Sequence, residues 1–566
     1  MTNRNKVFSL MFLIFISIIP ALSLFHPGLP ITHDGQDHVA RIANFYQNLS
    51  EGNIIPRWAP NLNWGYGHPI LEFLYPLPSY IASIFHFAGF SLVDSVKIVF
   101  GLAFILSGVF MYLWLREFLG EIGAFTGGIL YMFAPYRFVD LYVRGALGEH
   151  VAFVFLPLIL FFILKSSKEK YSSLLIVGGS LSVTGLVLSH NAISLMFMPI
   201  IFLYTLFIFC TTNNKKLQIY QYTSILVLGL GLSAFFWIPA FFEGKYTLRD
   251  IVTSSDYSER FLQFKDFIYG EWNYGITGQF TTQIGISHWI LTILSLPVAL
   301  SLHKKKNKFW ILTLGSFIIF VLTLFLMHSS SKFIWENIST LQKFQFPWRF
   351  LSVTVFVSSL LGGIVLSSLN KFRFMVFSLL IIAIFLLNKD YWKAQGYLYK
   401  PESFYKGIYN STTDTGESSP VWSVRFMEKA PKAHLELLDG DAKITETKRM
   451  STHHAYNVEV KQKTLFAENT LYFPGWEIRA NSNPVKIEYQ NQQYRGIMLF
   501  FLDKGNYKIE SLYRETKLRA FADAISVVVF FNILGFVFFR LARYLFVKNK
   551  DLQNEERDTH SNDSNH

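Results

Sequence analysis

Apolar residues fall in long unbroken runs over most of the chain, and a different pattern governs one region near the C-terminus. Runs long enough to cross about 30 Å of hydrocarbon, roughly 17 to 25 residues, recur throughout. They lie near 7–27, 95–115, 121–138, 149–165, 172–189, 191–210, 218–241, 287–302, 309–327, 349–369, 373–388 and 520–545. They predict about twelve transmembrane helices. The first run follows Arg4 and Lys6 as a signal peptide would, but no small-residue cleavage site follows it and further spans do.

From 389 to 518 the runs give way to period-2 alternation, as in HLELL (434–438), YNVEV (456–460), WEIRA (476–480), VKIEY (485–489) and YKIES (507–511). Asp439-Gly440-Asp441, Pro474-Gly475, Asn481-Ser482-Asn483-Pro484 and Asp503-Lys504-Gly505 punctuate these stretches as turns. The expected fold is therefore mainly α: a polytopic membrane domain over 1–388, then an all-β sandwich or jelly roll over 389–518. A last transmembrane helix over 519–546 and a disordered tail over 547–566 complete it.

Orientation comes from the short basic connections, which are retained on the cytoplasmic side. Arg4/Lys6, Arg116, Lys165/Lys168/Lys170, Lys215/Lys216, Lys304/Lys305/Lys306/Lys308, Lys371/Arg373 and Arg540/Arg543/Lys548/Lys550 occupy every second connection. Both termini are thus expected in the cytoplasm, with the β-domain outside. The apolar stretch 76–90 would invert every later loop if it spanned, so it is read as an interfacial helix within a long outward loop, 28–94.

Composition agrees and narrows the function classes. Hydrophobic residues make up 51% of the 566 residues and charged ones 16%, where a soluble domain carries about one-quarter. The net charge of +12, from 51 Lys and Arg against 39 Asp and Glu, belongs largely to the orienting loops. It therefore points to a lipid bilayer as partner and not to nucleic acid. The single cysteine, Cys210, excludes an internal disulfide framework and a Cys-built metal site.

Ionisable side chains gather in two outward loops, the arrangement a membrane enzyme requires because charges in hydrocarbon persist only for a purpose. THDGQDHVARI places His33, Asp34, Asp37, His38 and Arg41 within nine residues. A helix starting near Asp34 puts Asp34, Asp37 and His38 on one face, where they can deprotonate a hydroxyl or hold a divalent cation. The structural alternative is a helix cap by Asp34 and an Asp37–Arg41 pair. APYRFVDLYVRGALGEH adds Arg137, Asp140, Arg144, Glu149 and His150, which either complete a site with Asp34 or neutralise one another. Arg349 in FQFPWRF stands at the outer end of a span, suited to a lipid phosphate or to snorkelling. Arg57 in the first loop is a further substrate-binding candidate. Trp58, Trp64, Tyr66 and Tyr75 can stack on a sugar or anchor the interface. Glu417 and Trp422 in TGESSPVW either lie over the catalytic loops or belong to a linker.

A first span, an acid opening a long outward loop, interfacial helices and a second acid in the next outward loop resemble the GT-C superfamily of polyprenyl-phosphate-dependent glycosyltransferases. HDGQDHVARI, GNIIPRWAPNLNWGYGHPILEFLYPLPSYI, APYRFVDLYVRGALGEH, FQFPWRFL and LYFPGWEIRAN look more closely like the bacterial membrane proteins labelled 6-pyruvoyl-tetrahydropterin synthase-related. FPGW also resembles the β-domain of YfhO-like proteins. These resemblances imply a bacterial cytoplasmic-membrane enzyme that moves a sugar from a polyprenyl-phosphate donor to a glycan, lipid or protein acceptor outside, with inversion. Asp34 would be the base, Asp37 a second acid, and Asp140 the acceptor-orienting or metal-binding acid with Glu149 as its competitor. His38, Arg57, Arg144, Glu149, His150 and Arg349 would bind substrate. Asp34 and Asp140 would hold Mg or Mn if a cation is needed, although Gly35 stands where many such enzymes have a second acid. The alternative class is a non-catalytic factor for envelope polysaccharide assembly or lipid-linked-sugar export.

Overall fold

The computed structural model describes residues 3–169, 172–212, 214–253, 256–275, 279–369 and 371–563. Each of the twelve apolar runs falls on a helix. Among the described residues, eight helices are long and apolar enough to cross a membrane, or nine if Lys215–Leu232 and Ala234–Phe242, bent by 70°, form one span. Ser173–Val187 and Arg373–Asn388 are apolar but shorter.

Two of the predicted runs share the single long helix Leu92–Phe133, which is interrupted at Gly120 (φ 73°, ψ −177°). That backbone folds the helix into an antiparallel hairpin. A Cβ on Gly108 would meet the Met132 side chain, and one on Gly128 would lie 3.2 Å from the Gly108 carbonyl. Small residues here let the two arms approach closely.

The 76–90 stretch forms a helix over Leu77–Phe87. Eleven residues extend about 16 Å, half of the hydrocarbon thickness. Pro76 and Pro78 open it and Gly89 (φ 100°) closes it.

The C-terminal β-region is two antiparallel sheets. Strands β1 (Leu29–Pro30) and β2 (Tyr397–Leu398) pair outside it and tie the first long loop to the segment after the Arg373–Asn388 helix. One sheet runs β4 (Ala442–Arg449), β5 (His453–Val460), β10 (Gly505–Tyr513), β7 (Trp476–Ala480), β8 (Asn483–Val485). The other runs β3 (Leu435–Asp439), β6 (Thr464–Leu471), β9 (Ile497–Leu502). Tyr456, Val458 and Val460 of β5, and Trp476, Ile478 and Ala480 of β7, point inward at alternate positions onto Phe466 and Phe500. Asn481 and Ser482, both at positive φ, make the tight β7–β8 turn. Of the stretches expected as strands, VKIEY contributes only Val485 to β8 and a single bridge from Glu488 to Leu499.

The first long loop, 28–94, packs directly on this domain. Trp58 lies 5.4 Å from Trp476 and 5.5 Å from Tyr513, ring to ring. Leu471 N–H donates to the Tyr66 carbonyl at 2.9 Å. Trp58 and Tyr66 are thus buried at a domain junction, which accounts for them without either a bound sugar or the membrane interface. The last helix, Lys517–Asp563, continues through the tail expected to be disordered. Residues 547–563 contain neither Pro nor Gly, the residues that most disfavour helix.

Candidate active site

Backbone hydrogen bonds stitch the two charged loops together. The N–H groups of His33 and Asp34 donate to the carbonyls of Val143 and Arg144, each at 2.9 Å. Residues Val139–Arg144 form a widened helical turn that ends at Gly145 (φ 67°). A Cβ on Gly145 would stand 2.3 Å from Thr32 Oγ1, and one on Gly35 2.6 Å from the same atom. Close approach of the loops therefore requires glycine at position 145, where the positive φ and the nearness of Thr32 both disfavour a side chain.

Asp34 opens the helix Gly35–Ser50, yet its side chain makes no capping hydrogen bond and is exposed. Protein nevertheless surrounds it closely enough that burial raises its pKa, opposed by Arg144, Arg41, His33 and Arg349. Asp37 accepts from the Tyr409 hydroxyl at 3.0 Å, and burial raises its pKa as well. Arg41 does not pair with Asp37. Its Nη1 lies 3.2 Å from His38 Nδ1, its Nε donates to Thr413 Oγ1 at 3.2 Å and its Nη2 donates to the Thr413 carbonyl. Burial and the adjacent Arg41 hold His38 well below its usual pKa, so His38 is a neutral acceptor. Neither element of the structural alternative, cap or ion pair, is what these residues form.

Arg144 binds both acids of the second loop. Its Nη1 contacts Asp140 Oδ1 at 2.6 Å and Glu149 Oε2 at 2.9 Å, and both carboxylates are fully buried. Tyr136 donates to Glu149 Oε1 at 2.6 Å. Burial and the neighbouring Glu149 raise the Asp140 pKa well above its ordinary value. Arg349 stands at the start of the Leu351–Ser368 helix, donates to the Phe344 carbonyl at 2.9 Å and lies 5.0 Å from the Phe346 ring centre. Gln345 beside it donates to Glu417 Oε2 at 2.5 Å.

Of the two acids expected to hold a cation, Asp140 is already partly engaged. One Asp140 oxygen is taken by Arg144 and the other is buried without a partner. Among the described residues, no three His, Cys, Asp or Glu side chains are arranged to hold a metal ion.

Two sequence candidates lie elsewhere. Arg57 pairs with Glu515 at 3.0 Å and Asp523 at 2.6 Å, next to Arg519, which bridges Glu72 and Glu243 at 2.8 and 2.6 Å. This buried network joins the first loop to the last helix, so Arg57 is a fastening residue. His150 is packed against the rings of Phe100 and Phe104 at 5.5 and 6.0 Å, and its two ring nitrogens have no hydrogen-bond partner. It belongs to the core.

Other site residues carry weak sequence signals. Tyr409 and Thr413 reach the site from the segment leading into the β-domain, and Thr413 sits at φ 63°, an unusual conformation for a β-branched residue that marks a constrained position. Glu417, through Gln345, joins the same wall, so this segment does lie over the loops. His190 stacks on Tyr75 at 4.8 Å. Burial, followed by Arg349, Arg144 and His38, depresses its pKa.

The family described as "6-pyruvoyl-tetrahydropterin synthase related domain; membrane protein" matches residues 71–398. The chain belongs to this family. An uncharacterized protein of Lactococcus lactis subsp. cremoris (strain MG1363) is 26% identical to it over 262 residues, 44% of this chain and 42% of that one. The chain thus spans less than half of that relative. Among solved structures it is similar to the arabinofuranosyltransferase AftD from Mycobacteria, with TM-score 0.44 and 13% identity over 71% of this chain and 28% of that chain. It is also similar to ArnT from Cupriavidus metallidurans bound to undecaprenyl phosphate, with TM-score 0.40 and 12% identity over 72% and 68%. The archaeal oligosaccharyltransferase AglB from Archaeoglobus fulgidus gives TM-score 0.41 and 12% identity over 74% and 61%. The pterin-synthase wording of the family description does not describe this member's architecture, which is a bundle of membrane helices with a β-sandwich.

Proposed function

We propose that this pterin-synthase-related membrane protein is a glycosyltransferase that moves a sugar from a polyprenyl-phosphate donor to an envelope glycan, lipid or protein acceptor. The observation that carries the reading is the contrast at the site: an exposed, unbonded Asp34 carboxylate amid Arg41, Arg144 and Arg349, while Asp140 and Glu149 are committed to Arg144. Asp34 takes the acceptor hydroxyl proton as the new bond to the anomeric carbon forms. The bond from that carbon to the lipid phosphate breaks, and its electron pair leaves with the phosphate. Arg144 and Arg349 meet the developing charge, where preorganised cations are most effective. A single displacement of this kind inverts the sugar. Asp37, held by Tyr409, positions the helix that carries Asp34.

The same reading takes twelve crossings in a bacterial cytoplasmic membrane, with both termini inside and the site and β-domain outside. It is supported by the position of the charged loops at one end of the bundle and the lysine-rich turns at the other. Mass spectrometry of cell-envelope glycans, with and without the gene, tests it. A glycan that loses one sugar without the gene, and regains it from the wild type but not from Asp34→Asn, is expected. Unchanged glycans would refute the enzyme, and glycans restored by Asp34→Asn as fully as by the wild type would favour the non-catalytic assembly-factor class.

A further inference from the structure

At the ends of the spans opposite Asp34, a cavity of about 630 Å³ opens among the helices ending at Lys168 and Thr211, the first arm of the Gly120 hairpin and the Lys306–Phe309 turn. Its walls are of two kinds. Tyr204, Phe207, Ile208, Phe309 and Leu312 make an apolar side, in which Phe118 and Phe309 stack at 5.4 Å. Lys168, Lys306 and Lys308 make a cationic side, with Glu117 as the lone carboxylate of the lining.

That carboxylate is already engaged, since Glu117 is shared by Lys165 at 3.0 Å and Lys168 at 3.2 Å. Among the described residues, Lys306 and Lys308 have no ion pair. The turn that carries them is nonetheless well fixed: Asn307 N–H donates to the Leu302 carbonyl at 3.0 Å, and Phe309 N–H donates to Asn307 Oδ1 at 3.1 Å. Lys306 itself sits at φ 54°, a conformation that a non-glycine residue adopts at some cost.

We propose that this cavity binds the phosphate headgroup of an anionic glycerophospholipid, with an acyl chain laid along Phe207, Ile208 and Leu312. A basic pocket between helices at a membrane face is the arrangement that recruits such headgroups. A free phosphate satisfies the lysines but leaves the apolar wall wet, whereas a lipid covers both. The inference requires only the membrane placement and is independent of the glycosyltransferase reading.

The test uses the full chain in nanodiscs of phosphatidylcholine doped with phosphatidylglycerol, with native mass spectrometry counting retained lipid. The wild type is expected to retain phosphatidylglycerol preferentially. Lys306→Gln with Lys308→Gln is expected to weaken that preference about thirtyfold, from roughly a kilocalorie per lysine. Leu312→Trp keeps every cation but fills the apolar side, and it is expected to lose the preference as well. Lys461→Gln on the β-domain serves as the control and should change nothing. Retention by the double lysine variant equal to wild type would overturn the proposal. So would complete displacement by inorganic phosphate together with an unaffected Leu312→Trp, since that outcome describes a bare-anion site.

Discussion

Replacing Asp34 with Asn separates chemistry from folding because of how this carboxylate is held. Its side chain makes no capping hydrogen bond and is exposed, and among the described residues it forms no ion pair. An exposed substitution free of such contacts changes stability by roughly 0.5 kcal/mol or less. A positioned base contributes about 10²- to 10⁴-fold in rate, equivalent to about 3 to 5 kcal/mol of transition-state energy. The expected result is sugar transfer lowered by at least about a hundredfold with a melting temperature that does not fall, since the raised pKa of Asp34 means that its charge does not stabilise the fold. The pH profile supplies a second readout. A base works deprotonated, and burial raises the Asp34 pKa, so the wild-type rate should fall as pH drops through a value above the ordinary carboxylate range. Transfer by purified full-length protein in lipid, followed by mass spectrometry of the acceptor across pH, measures both. Undiminished transfer would refute the base assignment, and a large fall in melting temperature would show that the carboxylate is structural.

Arg144→Met should unfold the site, because it leaves Asp140 and Glu149 buried without their cation at a cost of about 3 to 5 kcal/mol. Adding Asp140→Asn and Glu149→Gln should recover most of that stability but no activity, and failure to recover it would show that Arg144 is not what holds the acids. Arg519→Met should cost a similar amount by stranding the Glu243 carboxylate, read out as thermal unfolding and as proteolysis ahead of the last helix. Burial, against the attraction of Arg519 and with Glu243 adding to it, pushes Glu72 up to about 8. The fold therefore favours the protonated form, and this contribution is full at acid pH and is lost as pH rises through about 8. Glu72→Gln should flatten the fall in melting temperature between about pH 5 and pH 8, and an unchanged slope would refute the assignment. A membrane-impermeant amine reagent applied to intact cells should label Lys461 of the β-domain but not the Lys304–Lys308 cluster, and labelling of that cluster would overturn the topology.

The helices were legible because long apolar runs fall on them, although among the described residues eight or nine helices, and not twelve, are long and apolar enough to cross a membrane. The hairpin at Gly120 was legible as two runs, although its reversal depends on a single glycine conformation. Strands were harder. Strands β5 and β7 alternate because one face is buried and the other wet, and the sequence shows that period directly. Strand β9, IMLFFL, is buried on both faces over most of its length, so it reads as a short apolar run with no period. Strand β4, AKITETKR, is exposed at most of its positions and loses the apolar half of the alternation.

At the candidate site, the sequence carries residue types and spacing, while what distinguishes one acid from another is the partner that each acquires. Asp34, Asp140 and Glu149 look alike along the chain. In the fold, Arg144 claims two of them and the third faces water. Arg57 and Arg144 likewise look equivalent until Glu515 and Asp523, more than 450 residues away in sequence, claim the former. Thr413 and Tyr409 reach Arg41 and Asp37 across 372 residues, a separation over which no local pattern extends. A side chain's chemical availability is therefore a property of long-range pairing. A loop rich in charge marks where a site can be, and the acid left unpaired after folding is the one proposed as the base.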